Sequence, residues 1–112
     1  MRLCYICSPY RGNIFKRIRN IRYAKRLTAL ALRLGYTPIT PHLFLTRVLN
    51  DNDKRQRDLG LKAGLNLLEP CTAIMIGCKY GISEGMRGEI KKAEGKQIIK
   101  IDWRAERERQ DY

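Results

Sequence analysis

The sequence predicts one α/β domain, a flavodoxin-like or Rossmann-like three-layer sandwich with a four-stranded parallel sheet ordered 2-1-3-4 in chain numbering. Three observations predict it. Short apolar runs alternate with longer stretches whose apolar residues recur at helical spacing. The runs are short, flanked by Gly, Pro or polar residues, and read as buried strands. Consecutive parallel strands need right-handed crossovers, and the helical stretches supply them. With 112 residues, 44% of them hydrophobic, the chain has material for one core and not two.

The first strand is expected at Leu3 to Cys7. A first helix follows, capped by Asn13 and stopped by Gly35, with Ile14, Ile18, Ile21, Ala24, Leu27, Thr28, Ala31 and Leu34 spaced for one face. The second strand is short, around Ile39 and Thr40. Asn50-Asp51-Asn52-Asp53 is rich in capping residues and opens a second helix, which Pro70 ends near Leu68. Ala73 to Ile76 reads as the third strand, Ser83 to Gly95 as a capped third helix, and Gln97 to Ile101 as the last strand. Residues 1–102 then form the domain, and 103–112 a charged tail.

Composition narrows the function classes. Net charge is +12, and the first 50 residues hold ten Lys or Arg and no carboxylate. Such a field attracts phosphates, on a small nucleotide or on nucleic acid, although any single arginine is more often a solvated helix charge. No apolar run approaches the roughly 20 residues of a membrane span, and the amino terminus lacks signal-peptide regions, so a cytoplasmic location without membrane contact is expected. Cys4 and Cys7 lie three apart on one strand and point to opposite faces, which suits buried reduced thiols better than a disulfide framework or a zinc site. No metal or cofactor is expected.

In parallel sheets ligands sit beyond the carboxyl ends of the strands, at the switch point. The segments leaving those ends are Ser8 to Asn13, Pro41-His42, and Gly77 to Gly88. The last is glycine-rich at a helix start, where N–H groups and the helix dipole favour an anion. Ser83 there either caps the helix or donates to a phosphate. By itself the motif is common, and a carboxylate such as Glu89 is usually an ordinary helix surface residue.

Taken together, Tyr5-Ile6-Cys7-Ser8-Pro9-Tyr10-Arg11-Gly12, Gly64-Leu65-Asn66 and Ser83-x-Gly85-x-x-x-Glu89-Ile90-x-x-Ala93 resemble the nucleoside 2-deoxyribosyltransferase superfamily, which includes the 2′-deoxynucleoside 5′-phosphate N-hydrolases. Nearly the whole chain resembles a compact bacterial and phage branch of it, with Pro41-His42-Leu43 and Asn50 to Asp53 also matching. The resemblance implies that Glu89 is the nucleophile at the anomeric carbon and Tyr5 the residue that positions it. Together with the strand-end and helix-start positions it makes Ser8, Tyr10, Arg11, Gly12, His42, Asn66, Ser83, Gly85 and Met86 the candidate substrate contacts, although a turn or structural hydrogen bond suits His42 better. Serine at position 83, where the transferases carry aspartate, points to a 5′-phosphorylated substrate. One departure stands out. The superfamily's Asp-Leu-Asn, whose aspartate assists the departing base, is Gly64-Leu65-Asn66 here, which removes acid help typically worth ~10² to 10⁴ in rate unless Glu84, His42 or another residue replaces it.

Three functions follow. The first is an N-glycosidase or deoxyribosyltransferase acting on a nucleoside 5′-phosphate. The second is a nucleotide sensor or sponge using the same cleft without chemistry, and the third is nucleic-acid binding through the basic first helix. The resemblance also implies a homodimer or larger assembly, packed through the second and third helices.

Overall fold

A computed structural model of the protein describes residues 2–101. Its order is β1 (Arg2–Cys7), α1 (Ile14–Arg33), β2 (Tyr36–Ile39), a 3-10 turn (Pro41–Leu43), α2 (Leu45–Val48), α3 (Lys54–Leu68), β3 (Ala73–Gly77), α4 (Glu84–Lys92) and β4 (Gln97–Ile101). The four strands are all parallel, in the order β2-β1-β3-β4. The expected charged tail lies outside the described residues.

Strand order dictates the layers. From β1 the chain steps one way to β2, whereas the later crossovers, to β3 and then β4, step the other way. Right-handed crossovers of opposite sense put their helices on opposite faces. The pleat records this split: Cys4, Ile6, Ala73 and Met75 pack under α1 against Tyr23, Leu27, Leu30 and Ala31. Their alternating neighbours Tyr5, Cys7, Ile74 and Ile76 face Leu68 of α3 and Met86 of α4. All four cysteines are free thiols, and Cys4, Cys7 and Cys71 are buried.

Helix α1 begins as expected, with the Asn13 side chain accepting from the Lys16 N–H, and Gly35 takes the positive φ of 89° after its last turn. Its apolar face differs from the expected one. Ile14, Ile18 and Leu34 are exposed, and the buried positions run from Asn20 to Ala31. Length explains the difference. Twenty residues of helix span about 30 Å and six of strand about 20 Å, so α1 overhangs the sheet and its ends have nothing beneath them. Gly77 allows the close crossing, since a Cβ there would lie 2.5 Å from Leu27 Cδ1.

Strand β2 covers Tyr36–Ile39, earlier than the expected Ile39 and Thr40, and contains Pro38. A proline lacks a ladder donor, yet β2 is an edge strand pairing only with β1, where that loss is tolerated. The 3-10 turn and α2 were not foreseen. No helix among the described residues is long and apolar enough to cross a membrane.

Candidate functional site

Where α1 and the later helices diverge to opposite faces, the carboxyl end of β1 borders a cavity of about 520 Å3. Residues after β1, the turn after β2, the inner side of α3 and the start of α4 line it. This is the switch point of the sheet.

Glu89 sits in the cavity wall and is 9% exposed, unlike an ordinary helix surface carboxylate. Position explains this. Met86 and Glu89 are three apart on α4, so they share the face turned toward the sheet. Tyr5, on the α4 side of β1, donates its hydroxyl hydrogen bond to Glu89 Oε2. The Cys7 thiol, two residues along the same pleat, lies 3.7 Å from Oε1 and donates there. Burial pushes the Glu89 carboxyl from 4.5 up to about 7, against the lowering effect of the Tyr5 and Cys7 hydrogen bonds. Burial first, and then the facing Glu89 charge, pushes both Tyr5 and Cys7 well above their usual ranges, so both remain protonated donors.

Gly64 belongs to this arrangement. A Cβ at that position would lie 3.0 Å from the Tyr5 hydroxyl oxygen, so the missing side chain leaves room for the phenol that holds Glu89.

Ser8, at the end of β1, is 1% exposed, and its Oγ is buried without a hydrogen-bond partner among the described residues. An unsatisfied buried hydroxyl costs about 1–3 kcal/mol, and Ser8 lines the cavity, where a polar ligand atom can satisfy it. Ser83 caps α4 by accepting from the Met86 N–H at 3.3 Å, which leaves its own O–H to donate. Gly85 and Met86 line the cavity beside it.

The Tyr10 and His42 rings stack with centroids 5.5 Å apart. His42 Nε2 is 2.9 Å from the Ser8 carbonyl, and because a carbonyl only accepts, Nε2 carries the proton. Burial pushes the imidazole below its usual range, against that hydrogen bond and the Asp51 charge. His42 therefore lines the cavity as a neutral ring that braces the β1 end, and its Nε2 proton is already committed to the Ser8 carbonyl. Glu84, exposed in the first turn of α4, also lines the cavity.

Two expected residues lie elsewhere. Asn66 is exposed, because two residues past Gly64 is about 200° around α3 and turns it to solvent. Gly12 lies outside the cavity lining, in the loop that leaves for α1, with Lys16 Cβ packed 2.7 Å from where its own Cβ would be. Arg11 does line the cavity, but its Nε pairs with Asp51 at 3.0 Å. Sequence reasoning missed Arg57, one turn below Leu61 on the inner side of α3, which has no ion pair among the described residues. The signal was present: Arg57, Gly60, Leu61 and Gly64 follow helical spacing. No three His, Cys, Asp or Glu side chains among the described residues group to hold a metal.

A family model described as a domain of unknown function (DUF7768) matches residues 2–103. No curated protein matches the chain.

Proposed function

The chain belongs to the DUF7768 family, and from that premise we propose that its cavity binds a (deoxy)nucleoside 5′-phosphate and cleaves or transfers its N-glycosidic bond. The observation that carries this reading is the Glu89 carboxylate, buried in the cavity wall and held at one oxygen by the Tyr5 hydroxyl. The motif resemblance to the nucleoside 2-deoxyribosyltransferases supports the same roles.

Under this reading Glu89 attacks the anomeric carbon from the face opposite the base. The C–N bond breaks, its electron pair leaves with the base, and a glycosyl ester forms on Glu89. Water or a second base then displaces the carboxylate, so configuration is retained over the two steps. Tyr5 and Cys7 each hold one oxygen, which fixes the carboxylate without neutralising it. Glu84 is the candidate proton donor to the departing base. The 5′-phosphate is assigned to the start of α4, with the Ser83 and Ser8 hydroxyls as donors and Arg57 and Arg11 supplying charge.

A second reading is favoured by one residue. Gly64 stands where the superfamily has an acid, which suits a nucleotide sensor or sponge that holds its ligand without turnover. A homo-oligomer belongs to either reading. Exposed Leu59 on α3, Val48 at the end of α2 and Phe44 just before it leave apolar surface for a second copy.

Incubation with a panel of nucleoside 5′-monophosphates, followed by chromatography for free base, tests the proposal. Base release from at least one of them is expected. Tight binding with no release favours the sponge, and neither binding nor release removes both readings.

A further inference from the structure

A second cavity lies on the opposite face of the molecule, outside the Glu89 site. It measures about 420 Å3 and is lined by one side of α1, from the overhanging Phe15 to Arg26, and by Tyr80. We propose that this face of α1 binds single-stranded nucleic acid, with the Phe15 ring and the Arg19 guanidinium stacked on Tyr80 as stacking surfaces and Arg22 on the phosphates.

The overhang makes the surface. Phe15 is 79% exposed and Ile18 is 45% exposed, because the first turns of α1 have no strand beneath them. Phe15, Arg19, Arg22 and Arg26 are spaced by four, three and four residues, so they form one stripe along the helix, on the order of 16 Å from end to end. Arg19 lies over the Tyr80 ring at 3.9 Å, and Tyr80 in turn meets Tyr23 edge to face at 5.1 Å. Flat rings beside guanidinium planes are what unpaired bases stack on, and the accompanying positive charge follows the backbone.

Charge selects the occupant. Among the described residues no carboxylate lines this cavity, and none occurs in the first 50 residues of the sequence. A purely apolar partner would give the Arg22 guanidinium no counter-charge. An acidic peptide matches the charge but has no general use for an exposed phenyl ring beside a stacked guanidinium. A strand of unpaired nucleotides uses both, and neither feature depends on what the Glu89 cavity does.

The test uses the full chain and fluorescein-labelled dT12 and rU12, with anisotropy read across a range of NaCl concentrations. Binding is expected to fall linearly on a log–log plot with salt. Phe15→Ala is expected to weaken it about ten-fold without changing the salt slope. Arg22→Ala is expected to weaken it and to reduce the slope by about 0.7. Both positions are exposed, so both variants should fold, and circular dichroism verifies this. Arg55→Ala, on α3, controls for net charge and should leave the slope nearly unchanged. The proposal is overturned if neither oligonucleotide binds at 50 mM NaCl, or if Phe15→Ala binds as the wild type does. It is also overturned if poly-glutamate of equal charge binds as tightly and loses as much affinity in Phe15→Ala, since that identifies an acidic protein partner instead.

Discussion

The Tyr5 hydroxyl and the Glu89 carboxylate lie 84 residues apart in the chain and share a hydrogen bond inside the cavity wall. That bond favours the ionised carboxylate, whereas burial, the larger effect, opposes ionisation and brings Glu89 to about 7. Tyr5→Phe keeps the ring in the core and removes the donor. A charge-assisted hydrogen bond is worth about 1.5–3 kcal/mol and one pH unit about 1.4 kcal/mol, so the Glu89 titration should move upward by one unit or more. A carbon-13 NMR titration of the labelled carboxyl reads this whether or not the protein turns over. An unchanged midpoint would show that the bond does not form in solution.

Stability should depend on pH through the same group. The folded-state value of Glu89, about 7, lies above its ordinary 4.5, so the folded chain holds a proton that the unfolded chain releases. Its contribution is fully present below about 4.5 and is lost as pH rises through 7. At about 1.36 kcal/mol per pH unit the loss is on the order of 3 kcal/mol. Glu89→Gln carries no charge to desolvate, so at pH 8 it should exceed the wild type by roughly that amount, and near pH 4 the two should be similar. Urea unfolding at the two pH values gives the comparison, and a Gln variant weaker at pH 8 would contradict it.

Gly64→Ala would normally gain about 1 kcal/mol of helix propensity. Here its methyl group would meet the Tyr5 hydroxyl at 3.0 Å, and that ring is fixed in the core. The variant should gain no stability and should move the Glu89 titration in the same direction as Tyr5→Phe does. A stabilised variant with an unchanged titration would separate Gly64 from the site.

Ser8→Ala should divide stability from binding. It removes an unsatisfied buried hydroxyl, so the ligand-free protein should become more stable by about 1 kcal/mol. Affinity for a nucleoside monophosphate should fall about ten-fold, read by calorimetry. Ser83→Ala should weaken both, because its hydroxyl also caps α4, a role worth about 1 kcal/mol. Equal affinity in Ser8→Ala would remove that hydroxyl from the ligand contacts.

The fold was legible because its signals are local. Each strand but β2 is a short apolar run, and Asn13, Asp53 and Ser83 cap α1, α3 and α4. Crossover handedness then leaves few strand orders. Strand β2 was displaced because Pro38 argues against any strand except an edge strand, and edge position is not a local property. The exposure of Ile14 and Ile18 depends on helix length relative to strand length, which periodicity does not contain. At the site, Tyr5 and Glu89 were named through the resemblance alone, since nothing local separates Glu89 from a surface carboxylate. The Arg11–Asp51 pair and the bracing of Ser8 by His42 are contacts between loops, set only when the chain has folded.

The central claim is that Glu89 acts on a glycosidic bond, and one paired measurement tests it most directly. Wild type and Glu89→Ala are given the same nucleoside 5′-monophosphate, free base is quantified, and affinity is measured separately. A nucleophile contributes chiefly in the transition state, so base release should fall about a thousand-fold or more while affinity changes by only a few-fold. Base release that persists in Glu89→Ala at the wild-type rate would contradict the account.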